Sequence, residues 1–101
     1  MSLEESVRIF RQTGNPRHLP AVVRAILRHY VAEEAQPLLQ STAADLRLAE
    51  DLGIDSLTLM EIALATEDAM GVPVEVEELR RLMTVGEMER MLAVKAQGAA
   101  R

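Results

Sequence analysis

Between Asp55 and Gly71 the sequence lays two apolar stripes on a single helical period, and this limits what can be built around it. At about 100° per residue, Leu59, Ile62, Ala63, Thr66 and Met70 share one side. Leu57, Met60, Glu61, Leu64 and Asp68 share roughly the opposite side. A small bundle buries one stripe and cannot easily cover both. The second stripe mixes apolar anchors with carboxylates, the composition of a partner-docking surface. Cover by a neighbouring helix or by a second copy is the competing reading. Asp55 suits the N-cap of this helix and Gly71 its terminator.

The rest of the chain also reads as helix. Ser2 and Glu5 form an S-x-x-E cap ahead of Leu3, Val7 and Phe10 on one face, and Thr13-Gly14-Asn15-Pro16 stops that helix. Leu19, Val22, Val23, Ile26, Leu27, Tyr30 and Val31 repeat at three- and four-residue steps, so a stronger helix starts near Pro20 and is expected to fade before Pro37. Residues 37–54 form a long connection with a turn of helix expected near Thr42–Arg47. In it Leu46, Leu48 and Leu52 turn inward, and Asp45, Glu50 and Asp51 stay wet. Val72-Pro73-Val74 is extended, Val76–Leu82 makes one short helix, and Thr84 with Glu87 caps a final helix through about Ala96. Val85, Met88, Met91 and Leu92 form its buried side, and nothing reads as a strand pair. The fold class is all-α: three long helices and one short one, with an additional short helix at the amino end.

Composition narrows the function. The chain has 101 residues, of which 49% are hydrophobic, enough for one small core built without large aromatics beyond Phe10 and Tyr30. Residues 46–70 set Arg47 against Glu50, Asp51, Asp55, Glu61, Glu67 and Asp68, so this segment alone carries the whole net charge of −5. That charge argues against nucleic acid and for a partner with a basic surface. No apolar run approaches the roughly 18 residues of a membrane span. Glu4 and Glu5 precede any apolar stretch, unlike a signal peptide, so a cytoplasmic protein is expected. There is no cysteine, and His18 and His29 lack ligand spacing, so no metal site is expected.

Ser56 stands at the start of the two-striped helix, just after the Gly53 turn, where unpaired backbone N–H groups and the positive end of the helix dipole favour an attached phosphate. A plain capping serine fits the same position. Catalysis does not: Ser56 lacks a G-x-S-x-G context and a histidine base. A calcium loop counted from Asp51 also fails, because Ser56 replaces its glycine and Ile62 its final glutamate.

The segment Glu50-Asp51-Leu52-Gly53-Ile54-Asp55-Ser56-Leu57 resembles the signature of acyl carrier proteins, the phosphopantetheine-binding four-helix domains of fatty acid and polyketide synthesis. Glu61-Ile62-Ala63-Leu64-Ala65-Thr66-Glu67-Asp68 resembles the family's acidic second helix. Gly71-Val72-Pro73-Val74, then Leu82-Met83-Thr84-Val85-Gly86 and the last helix, follow its pattern to the end. The resemblance covers about residues 19–97. Thr58 and Met70 depart from it, standing where many members have an acid and an aromatic.

The resemblance implies that Ser56 takes 4′-phosphopantetheine from coenzyme A through a phosphopantetheinyl transferase, with Asp55 helping to present the hydroxyl. Acyl groups would ride as thioesters on the arm, and the carrier would not itself be an enzyme. Leu57, Met60, Glu61, Leu64 and Asp68 would be the face read by acyl-transferring or condensing enzymes with basic docking surfaces. An acyl-carrier-protein-like bundle over residues 19–97 is expected, with 1–18 as an N-terminal extension and 98–101 frayed. The capped start at Ser2 suggests a free-standing carrier, and Gly-Ile-Asp-Ser-Leu the acyl rather than the peptidyl type, serving fatty acid, polyketide or another specialised acyl pathway. A bundle poor in aromatics could also open a channel between its helices for a short acyl chain. The rival reading is a non-enzymatic helical interaction module that never uses Ser56.

Overall fold

The computed structural model describes residues 2–40 and 45–99. Helix α1 (Leu3–Thr13) starts at Ser2, whose Oγ accepts from the Glu5 N–H at 3.2 Å, and ends at Gly14 in the left-handed conformation. Its apolar face is not idle: Phe10 is buried in the common core, and Leu3 and Val7 pack against that core. α1 therefore lies against α2 (Leu19–Arg28) and also touches α3 (Ser56–Met70).

α2 is the centre of the bundle. Val22, Val23, Ile26 and Leu27 are completely buried, because the broad stripe of this helix meets α1, α3 and α5 (Val85–Ala99) at once. α4 (Val76–Arg80) is a single short turn packed on α3 through the buried Leu79. The described residues contain no strand, only one isolated antiparallel bridge between Arg47 and Thr84. The architecture is the expected all-α bundle.

Three details differ from expectation. α2 stops at Arg28 instead of running toward Pro37, and a 3-10 run over Glu33–Gln40 then includes that proline. The Gln36 amide explains the early stop: its Nε2 donates to the carbonyls of Arg28 and Val31 at 2.8 Å each, satisfying acceptors that a longer helix would have used. Val31 leaves the helix yet remains buried. Secondly, the helix expected over Thr42–Arg47 falls in part outside the described residues, and Asp45–Arg47 form turn and bridge instead. Thirdly, α5 runs to Ala99, three residues beyond the expected end.

The long connection is packed down. Leu46, Leu48, Leu52 and Ile54 are buried, while Asp45, Glu50 and Asp51 face water. The Leu48 N–H donates to the Met83 carbonyl at 3.0 Å and the Val85 N–H to the Leu46 carbonyl at 2.9 Å. These bonds pin the approach to Ser56 onto the α4–α5 junction. Asp51 closes the loop on itself by accepting from the Arg47 N–H at 2.8 Å.

Candidate functional site

The site grows out of the start of α3. Gly53 takes φ 67, a conformation costly for any residue with a Cβ, although a Cβ there would meet nothing within 4 Å. Backbone conformation, not space, is what asks for glycine. The turn it makes sends Ile54 into the core and leaves Asp55 and Ser56 exposed. Asp55 caps the helix: its Oδ1 accepts from the Thr58 N–H at 2.8 Å, and its carbonyl accepts from Leu59 at 2.9 Å. The Thr58 N–H, then its hydroxyl, hold the Asp55 carboxyl below its ordinary pKa, so it is fully ionised at neutral pH.

Ser56 is the first residue of a fifteen-residue helix. Its side chain is exposed and, among the described residues, engaged in no hydrogen bond. A hydroxyl so placed is accessible to an incoming enzyme, and a phosphate on it would sit at the positive end of the α3 dipole. The capping serine weighed above is not what the structure holds, since Asp55 performs that task.

The two stripes of α3 divide as their spacing predicts. Ile62, Ala63, Thr66 and Met70 are buried and Leu59 is half-buried. Leu57 is 67%, Met60 48% and Leu64 70% exposed, with Glu61 and Asp68 exposed beside them. Among the described residues no helix packs over Leu57, Met60 or Leu64. The third acid, Glu67, serves the fold: its Oε1 accepts from the Val74 N–H at 3.0 Å and steadies the extended Val72–Val74 segment.

Beside the start of α3 lies a cavity of about 160 Å³ lined by Ile54, Leu59, Leu79, Leu82 and Met83 among others. Met83, 60% exposed, stands at its edge and was not singled out by helical periodicity, because it lies in the short link before α5. Periodicity also missed Arg11, which reaches from α1 to the last turn of α3.

Comparison with known proteins decides the family. The family model of the phosphopantetheine attachment site matches residues 23–92. The chain belongs to the acyl carrier protein family. Acyl carrier protein MbtL of Mycobacterium tuberculosis is 33% identical over 76 residues, spanning 75% of this chain and 90% of that protein. An acyl carrier protein of Arthrobacter sp. is 34% identical over 71 residues, 70% of this chain and 88% of that protein. The meromycolate extension acyl carrier protein of Mycolicibacterium aurum is 51% identical over a shorter stretch of 39 residues, 39% of this chain and 40% of that protein. No match emerges among solved structures. This acyl carrier bears 4′-phosphopantetheine as a covalent group and works as a carrier, not a catalyst. No helix among the described residues is long and apolar enough to cross a membrane.

Proposed function

We propose that this acyl carrier holds its arm on Ser56 and serves a specialised acyl pathway. The single observation carrying the first half is the exposed, unengaged Ser56 hydroxyl at the start of α3, with the ionised Asp55 carboxylate beside it. When bound, 4′-phosphopantetheine supplies a thiol that carries an acyl group as a thioester. The protein's own part is presentation. Gly53 makes the turn, Asp55 locks the first turn of α3, and buried Ile54 and Leu52 fix the loop, so the hydroxyl is offered on rigid backbone.

The outward face of Leu57, Met60, Leu64, Glu61 and Asp68 is where partner enzymes dock, beginning with the phosphopantetheinyl transferase. Apolar anchors with an acidic rim suit short-lived complexes, in which charge raises the encounter rate and modest buried area permits release. Tethering then does the rest, by raising the local concentration of the acyl group at each docked active site. Partners with basic docking surfaces complement the acidic segment 46–70. The cavity beside Leu59 and Met83, about 160 Å³, would take the first part of a short acyl chain.

Residues 19–97 form the carrier domain in this reading, residues 1–18 are an extension, and the site of action is the cytoplasm. The name of the meromycolate extension relative favours a specialised pathway over housekeeping fatty acid synthesis. The test uses coenzyme A, magnesium and a broad-specificity phosphopantetheinyl transferase, read by intact mass. Wild type gains one phosphopantetheine and Ser56→Ala gains none. An unmodified wild type that is folded by circular dichroism, in a mixture that modifies a known carrier, would favour the interaction module instead.

A further inference from the structure

A groove larger than the cavity beside Ser56 lies elsewhere on the molecule. It runs between α1 and the second half of α3, has a volume of about 620 Å³, and is floored by Leu3, Val7, Ala65 and Ala69. Arg8 stands on its α1 wall and Asp68 on its α3 wall. The neighbouring cation Arg11 is already spent on the main-chain carbonyls of α3, whereas among the described residues neither Arg8 nor the Asp68 carboxylate has an ion-pair partner. The groove thus offers an apolar floor between an α1 wall that carries Glu4 and, one turn on, the uncommitted cation Arg8, and an α3 wall that carries the uncommitted anion Asp68.

Its position matters as much as its lining. On the α3 wheel Ala65 and Asp68 lie next to Glu61 and Leu64, so the groove continues the outward face and Asp68 belongs to both. A helix laid along the furrow beside Ala65 and Ala69 can approach closely, since both side chains are small and one turn apart. A second copy of this chain is a poor occupant. Facing α3 helices would set Glu61 and Asp68 of each copy against those of the other, in a chain of net charge −5.

We propose that the α1–α3 groove is a second docking site, specific for an amphipathic helix of an acyl-handling partner enzyme. The occupant is basic along the edge that meets Asp68 and Glu61, apolar at its centre, and carries a single carboxylate opposite Arg8 with an uncharged residue opposite Glu4. Arg8 is then the selecting residue: it repels a uniformly basic surface and admits one with an acid at that position. The extension before residue 19 thereby sets which partners this carrier serves. The inference rests on the reading of α3 as the docking face and adds to it the α1 wall.

The probe is a pair of synthetic helical peptides with leucines at i, i+3, i+4 and i+7. One has lysines on one edge and a glutamate on the other; its mirror exchanges the charges. Both are titrated into the ¹⁵N-labelled full chain, alongside Arg8→Glu and the double swap Arg8→Glu/Asp68→Lys. The first peptide is expected to shift the amides of Val7, Ala65 and Ala69 and to bind about 3–10-fold more tightly than its mirror, as two exposed charge pairs would give. Arg8→Glu should shrink that preference and the double swap reverse it. Silence of the groove amides with both peptides overturns the proposal, as does equal binding of the pair or an unchanged preference in the double swap. So does sedimentation showing that the free chain dimerises through these residues. Loading of wild-type Ser56 is measured in parallel. Loading with a silent groove removes this inference alone, whereas failure to load removes the function proposed above.

Discussion

The Arg11 guanidinium donates to the carbonyl of Ala69 at 2.7 Å and to that of Asp68 at 3.3 Å, joining the first helix to the end of α3 across more than half the chain. The last carbonyls of a helix lack intrahelical donors and carry the negative end of its dipole, so a cation there is doubly suited. Gly71 ends the helix in the left-handed conformation, with Arg11 Nη2 3.4 Å from where a Cβ would lie. Arg11→Ala should lower stability by about 1 kcal/mol, a fall in Tm of roughly 4–8 °C for a domain of this size. Thermal unfolding followed by circular dichroism checks it, and added salt should narrow the difference.

The two faces of α3 separate stability from recognition. Ile62 is 1% exposed and Leu64 70%. Ile62→Ala should cost about 2–5 kcal/mol in urea unfolding, through lost burial and the cavity left behind. Leu64→Ala should stay within about 0.5 kcal/mol of wild type. Its effect belongs in the KM of the phosphopantetheinyl transferase, which should rise with little change in kcat.

Asp55 ties the presentation of Ser56 to pH. Its carboxyl is held below the ordinary range by the Thr58 N–H and hydroxyl. A depressed folded-state pKa adds stability that is complete above the unfolded value of about 3.9 and is lost as pH falls through the folded value. Asp55→Ala should therefore melt about 2–6 °C below wild type at pH 7. The gap should close below about pH 3.9. Matched melting curves at the two pH values check this.

Glu89 behaves oppositely. Burial raises its pKa against the pull of Arg24, whose guanidinium is 4.0 Å away, and among the described residues its Oε2 has no hydrogen bond. Folding then favours the protonated acid, so this contribution is complete below the unfolded value of about 4.3 and declines as pH rises through the folded one. Glu89→Gln should gain about 2–4 °C in Tm at pH 7 and match wild type near pH 4. A loss of stability at pH 7 would show that Arg24 outweighs the desolvation.

Helical periodicity was enough for what depends on neighbours in sequence. The burial of Ile62 and exposure of Leu57 and Leu64 follow from angles on one wheel, the caps at Ser2 and Thr84 from residue pairs three positions apart, and the cap at Asp55 from its residue type. Contacts between distant segments leave no such trace. Nothing local announces that Arg11 will cap α3, that Gln36 will end α2 at Arg28, or that Leu48 will bond to Met83. The α1–α3 groove is of the same kind, because its walls are 53 or more residues apart in sequence, from Gln12 to Ala65. At Ser56 local sequence fits both a cap and an attachment site. The structure assigns capping to Asp55 and leaves the hydroxyl unengaged.

In the proposed function one hydroxyl, that of Ser56, bears the arm. Cleavage after arginine releases the peptide from Leu48 to Arg80, which holds Ser56, Thr58 and Thr66 together. Fragmenting this peptide from protein loaded by the transferase locates the adduct among the three. Phosphopantetheine is expected on Ser56 alone. An adduct on Thr58 or Thr66, or an unmodified peptide from a mixture in which a known carrier is fully loaded, would contradict it.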